Sequence, residues 1–353
     1  MWNPQYKTLD HWRGFAAFWV VMYHGFAPLY DKNLHPIANL LKSLAKPGWL
    51  GVHIFFVISG YCIAVSVYRL FLKNGNAWTF IKNRAVRLLP VYWLSFLLAL
   101  IINIITIPFN GTSFWENFPS WQEWIANILL IQPYVDITPY VVVYWSLAIE
   151  VAFYLIVTGL LIIQKIFNPK VAIFIGLFLG FLSIFIYLPR LPFLSYWCEF
   201  VCGVLLFFAL LSNHNKNFSR RNLSLVLIIL MMILSLWINY TYKQNQLWYS
   251  AIFTICLYNL YFIDSKIANI KQIKWLQLIG LMSYSLYLLH SPFQGKLINL
   301  GIRFIPINSS IIVLLQIFGW IVALIASYIF YRFVEKPLND WRYRRKTLKI
   351  TNN

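Results

Sequence analysis

An all-α, polytopic transmembrane helix bundle of about 10 spans is the fold class this sequence predicts. Three observations predict it. Of 353 residues 60% are hydrophobic and only 11% charged, against about 25% charged in soluble domains. The apolar residues fall in stretches long enough to cross a bilayer, which needs roughly 17 to 25 residues. The basic residues crowd into alternate gaps between those stretches, as the positive-inside rule requires.

Taken in order, the stretches run over 14–30, 49–72, 88–108, 141–163, 171–189, 194–211, 223–241, 247–263, 275–300 and 309–333. An even number puts both termini on one side. With the N-terminus in the cytoplasm, about 22 Lys and Arg fall inside against about 7 outside. The outer gap from Phe109 to Tyr140 carries Glu116, Glu123 and Asp136 but no Lys or Arg. Within it, the stretch from Trp121 to Ile131 is short and amphipathic, which predicts a helix lying at the interface. The segment 334–353 reads as a basic cytoplasmic tail that fixes topology and attracts anionic lipid. No gap is long enough for a second domain, so 1–353 reads as one membrane unit.

The composition excludes several function classes. A net charge of +19 is accounted for by membrane topology, so no nucleic-acid partner is implied; the partner is the lipid bilayer. The 16 Trp and 22 Tyr fit interfacial belts. Cys62, Cys198, Cys202 and Cys256 all lie in apolar stretches without metal spacing, which predicts free, buried thiols and neither disulfide nor zinc. Gly25-Phe26-Ala27 resembles a signal-peptide cleavage site. Asp10 before the run, Pro28 after it and His24 within it argue against cleavage.

Ionisable residues inside spans are costly, roughly 2.5 to 3.5 kcal/mol on insertion scales, and are retained mainly for function. His24, His53, Glu150, Glu199 and His290 all fall in the middle or outer half of the membrane in the assigned orientation. For His53 and Glu199 the bland reading, an interhelical hydrogen bond, is preferred. Arg13 and His24 share one face of the first segment, eleven residues apart, a rise of about 16 Å. A cation at the membrane edge and an imidazole deep inside therefore share one helix. Glu150 follows Ser146 by four positions, so Trp145, Ser146 and Glu150 cluster on adjacent turns, a hydroxyl, an indole and a carboxylate suited to gripping a polyol or orienting an imidazole. Arg84 and Arg87 stand at i, i+3 where the third span meets the cytoplasm. Paired guanidinium forks suit phosphates, although the same pair also serves as positive-inside anchoring.

These residues lie in blocks that resemble a known family. LDHWRGFAAFWVVMYH (9–24) resembles the opening Arg-x10-His signature of acyltransferase family 3, multi-spanning membrane enzymes that acylate hydroxyls of cell-surface glycans. The blocks GVHIFFVISGYCIA (51–64), RAVRLLPVYW (84–93), YWSLAIEVAFY (144–154), SYSLYLLHSPF (283–293) and FVEKPLNDWRYRRK (333–346) keep the family's order over nearly the whole chain. His53 and Ala148 depart from the family's common residues at their positions.

The resemblance implies a bacterial cytoplasmic-membrane enzyme with no resident cofactor, an acyl-CoA donor on the cytoplasmic side and a glycan acceptor. It implies His24 as the catalytic residue with Arg13 as its motif partner; acyl transfer to a hydroxyl then makes His24 a general base or a transient acyl carrier, with Glu150 orienting it or holding the acceptor. Arg84, Arg87 and Arg13 are implied for the donor, and Asp10, Trp145, Ser146, Tyr287 and His290 for the acceptor. The sequence ends soon after its last predicted span, so no esterase-like domain of the kind some relatives carry is expected. The acyl group is acetyl or a slightly longer one such as succinyl. The rival reading is a transporter or flippase of a glycan, because membrane-embedded carboxylates and histidines also mark proton relays. No internal repeat supports it. A phosphate-bearing donor explains the arginine pair better.

Overall fold

The structure, a computed structural model, describes residues 6–110, 118–186, 188–242 and 247–351. Glu116 lies outside them. Every regular element among the described residues is helical, with no strand. In chain order the helices are α1 (Leu9–Gly25), α2 (Pro36–Ala45), α3 (Leu50–Phe71), α4 (Ala77–Asn110), α5 (Trp121–Leu129), α6 (Tyr144–Ile166), α7 (Pro169–Phe185), α8 (Pro192–His214), α9 (Phe218–Tyr242), α10 (Trp248–Leu260), α11 (Asp264–Ala268), α12 (Lys274–Leu281), α13 (Ser283–His290), α14 (Lys296–Gly301), α15 (Ile311–Phe330) and α16 (Lys336–Thr351).

Seven helical segments among the described residues are long and apolar enough to cross a membrane: 36–71, 77–107, 144–166, 192–214, 218–241, 248–268 and 311–342. The other three predicted spans take different forms. α1 and α7 have 17 residues each, a rise of about 26 Å. The stretch 275–300 is no continuous helix. It is divided into α12, α13 and α14, with a π-helical turn at Ser291–Gly295 between the last two. Pro292 lies in that turn. Having no N–H to donate to the carbonyl four residues back, it breaks the regular ladder.

The amphipathic stretch of the outer gap forms α5, started by a capping box in which Ser120 and Glu123 satisfy one another's backbone N–H groups. α4 begins eleven residues before the predicted span, so Arg84 and Arg87 lie within a helix rather than beside one. All four cysteines are free, and Cys256 is exposed, not buried as the sequence predicts.

Two sets of close crossings place the site. A Cβ on Gly14 would lie 1.9 Å from the Leu276 carbonyl oxygen, and one on Gly280 would lie 1.7 Å from that of Asp10. α1 and α12 therefore touch backbone to backbone, as small residues permit in membrane bundles. Likewise Gly60 of α3 meets Phe200, and Gly203 of α8 meets Val57, at 2.1 and 2.0 Å. His53 and Glu199, on this α3–α8 pair, bond each other, Nδ1 to Oε1 at 2.5 Å. Glu199 is wholly buried, and its Oε2 has no hydrogen-bond partner among the described residues.

Candidate active site

α3, α4 and α6 meet α1 and α13 around a cavity of about 120 Å³. α6 measures its length. Ser146, Glu150 and Tyr154 line it at successive turns, spanning a rise of about 12 Å. α3 supplies a matching stripe of Phe55, Ser59 and Cys62.

At the Tyr154 end the walls are cationic. Arg84 donates to the Ser66 hydroxyl and lies 5.5 Å from the ring centroids of both Phe80 and Tyr154. Only 7% of it is exposed, so a planar cation is held between two aromatic faces. Arg87 and Arg13 line the same cavity, and Arg87 keeps an accessible surface. Glu335 joins them. It accepts from the Ser285 hydroxyl at 2.5 Å and from the Ser285 N–H at 3.2 Å. This pins the first turn of α13 beside the arginines.

Glu150 stands midway. Its Oε1 accepts from Tyr154 at 2.6 Å and from Ser59 at 3.0 Å. At the far end Tyr287 donates to the Val143 carbonyl at 2.9 Å and shares a hydrogen bond with the Ser146 hydroxyl. Its ring lies 6.1 Å from Phe55 and 6.0 Å from His290. Beyond it His290 is wholly buried, with Nε2 at 3.3 Å from Nδ1 of His24.

The structure thus gathers Arg13, Arg84, Arg87, Ser146, Glu150 and Tyr287 around one cavity, and it joins His24 to His290 next to Tyr287. Three sequence-predicted residues are placed elsewhere or differently. Asp10 pairs with Arg13 at 3.3 Å but is no part of the cavity lining. Trp145, one residue from Ser146 and so turned about 100° away, packs on Tyr196 at 5.5 Å. Glu150 bonds Ser59 and Tyr154, and the partner of His24 is His290. Sequence reasoning missed Ser59, Tyr154 and Glu335. The first two follow from helical spacing once α3 and α6 are paired. Glu335, read as part of the cytoplasmic tail, is buried, but with Asp340 five residues on nothing in the sequence set it apart.

A family model described as an acyltransferase domain matches residues 6–332. The chain belongs to acyltransferase family 3. Among similar proteins, a peptidoglycan O-acetyltransferase, OatA, of Listeria monocytogenes is 26% identical over 94% of this chain and 55% of its own length. The O-acetyltransferase OatA of Staphylococcus aureus is 26% identical over 96% of this chain and 58% of its own. A putative acetyltransferase of Acidianus two-tailed virus is 22% identical over 82% of this chain and 84% of its own. The chain therefore spans little more than half the length of the two bacterial relatives. No solved structure matches it.

Proposed function

We propose that this protein is a membrane O-acetyltransferase, moving an acetyl group from coenzyme A to a hydroxyl of a cell-surface glycan. The observation that carries this reading is the convergence of three arginines from two helices on one narrow cavity, one wall of which, Tyr287, packs against His290 of a histidine pair that itself does not line the cavity. A phosphate-bearing donor needs guanidinium forks, its slender pantetheine arm needs a narrow passage, and the hydroxyl needs a base. Family membership and relatives named as O-acetyltransferases support it.

In this reading both termini are cytoplasmic. α1, α7 and the broken α12–α14 cross the membrane with the seven longer segments, and the arginine end of the cavity faces the cytoplasm. Arg84, Arg87 and Arg13 hold the donor's phosphates. His24 Nε2 takes the proton of the acceptor hydroxyl as its oxygen attacks the thioester carbonyl. The carbon–sulfur bond then breaks, and the departing thiolate takes the proton from Nε2. The acyl group crosses the membrane without the nucleotide. Ser146, Tyr287 and Glu150 offer hydroxyl and carboxylate contacts to the acceptor or the arm.

Substitution of His24 by Gln tests the reading. Transfer of radiolabelled acetyl from coenzyme A to glycan, in membranes matched for protein, is expected to fall by about 10² to 10⁴-fold, the share general-base catalysis usually supplies. Donor binding is expected to persist. Normal transfer by this variant would remove His24 from the chemistry and favour the transporter reading.

A further inference from the structure

The His24–His290 contact has a defined proton arrangement. Backbone carbonyl oxygens only accept hydrogen bonds. His290 Nδ1 lies 2.9 Å from the Leu286 carbonyl oxygen, so Nδ1 carries the proton, and in the neutral ring Nε2 is left as a lone pair. His24 Nδ1 lies 3.0 Å from the Val20 carbonyl oxygen, so it too carries a proton, shared with His290 Nε2 at 3.3 Å. The reverse assignment would set a ring lone pair against the Val20 carbonyl lone pairs at that same 3.0 Å. The hydrogen bonds therefore run from His24 to His290 to Leu286. Nε2 of His24 is left as an acceptor without a protein partner among the described residues.

The two helices are held in register at this point. The Gln294 side-chain amide donates to the Val21 carbonyl at 2.9 Å. A Cβ on Gly25 would lie 2.5 Å from the same amide nitrogen. The π-helical turn that carries Gln294 starts immediately after His290, and such turns concentrate at functional sites.

We infer that His290 is the positioning residue of the His24 base. It accepts the His24 Nδ1–H bond, fixes the tautomer that keeps Nε2 open to the acceptor hydroxyl, and strengthens that bond when His24 becomes an imidazolium. This assignment takes His290 out of the acceptor contacts the sequence suggested, and it rests on the reading of His24 as base. A base oriented by a third group through its other nitrogen is the general logic of catalytic triads. Here the third group is neutral, as a wholly buried site demands in the absence of a compensating charge.

The test compares His290→Gln with His290→Asn in acetyl transfer, with KM and kcat separated and donor binding measured on the same preparations. The Gln amide oxygen reaches the place of Nε2, and the Asn amide reaches only that of Nδ1. Asn is one methylene smaller and leaves the larger cavity at this wholly buried position, so melting temperature is measured on both variants and kcat is compared at a temperature where both are folded. His290→Asn is expected to lower kcat at least about ten-fold below His290→Gln, the worth of one hydrogen bond of about 1.4 kcal/mol, with KM for the donor unchanged. Combining His24→Gln with His290→Asn is expected to slow transfer no further than His24→Gln alone, because members of one catalytic unit are not additive. Equal kcat for the two His290 variants, or additive losses in the double variant, would overturn the inference while leaving His24 as base. An active His24→Gln would overturn both.

Discussion

Arg84 and Arg87 look interchangeable in the sequence and differ in place. Arg84 is fastened to Ser66 and faced by Phe80 and Tyr154, whereas Arg87 lines the cavity with accessible surface. A lysine has neither the planar face for two rings nor the fork for a second bond. Arg84→Lys is therefore expected to destabilise the protein by about 1–3 kcal/mol, the cost of leaving buried polar groups poorly paired, seen as a lower melting temperature in detergent. Arg87→Ala is expected to leave melting nearly unchanged and to weaken coenzyme A binding at least about ten-fold, by losing a charge-assisted phosphate contact. In the parent, coenzyme A binding should weaken further as salt rises. Equal donor affinity for Arg87→Ala and the parent, read by calorimetry, would return Arg87 to topology anchoring.

At the scale of elements, the proposed chemistry depends on two helices that lie backbone to backbone. α1 carries Arg13 and His24, and the broken α12–α14 carries Tyr287 and His290; Gly14 and Gly280 allow the contact between them. Gly280→Ala must push α1 away, since its Cβ would lie 1.7 Å from the Asp10 carbonyl oxygen. We expect it to abolish acetyl transfer and to destabilise by about 1–3 kcal/mol, as overpacking does. Gly159→Ala in α6 has nothing within 4 Å of its new Cβ. It should be active and slightly more stable, by up to about 1 kcal/mol from helix propensity. Matching activity of the two variants in the same membranes would show that this crossing does not position the chemistry.

At the scale of the whole molecule, the testable quantity is orientation. On the proposed orientation, which follows the Lys and Arg asymmetry, both termini and the segment bearing Arg221 are expected in the cytoplasm and the segment around Glu123 outside. Single cysteines introduced at Ser219 and Ser120, in a chain whose Cys62, Cys198, Cys202 and Cys256 are replaced, should react with a membrane-impermeant thiol reagent in opposite senses. Only the Ser120 position should label from outside intact cells. External labelling at Ser219 would reverse the orientation and with it the side from which the donor enters.

Hydrophobicity and helical period are local properties, and they sufficed for the helical class, for α5 with its Ser120–Glu123 cap and for the shared face of Arg13 and His24. Of the cavity-lining residues, Ser146 and Glu150 were legible as polar groups one turn apart in an apolar stretch, and Arg13, Arg84 and Arg87 as cations where apolar stretches meet the membrane edge, whereas Tyr287 came only with the family resemblance. Only the tertiary structure decided which of them meet. The break in 275–300 needed the packing of α13 on its neighbours to become more than a proline in an apolar run. Glu335 entered the site because the π-helical turn Tyr331–Glu335, which continues α15, sets its carboxylate against Ser285. The partner of His24 is 266 residues away in sequence, and no periodicity within one helix carries information about that distance. Local pattern sets which residues are placed in the membrane, and the crossing of helices at their glycines sets which side chains can touch.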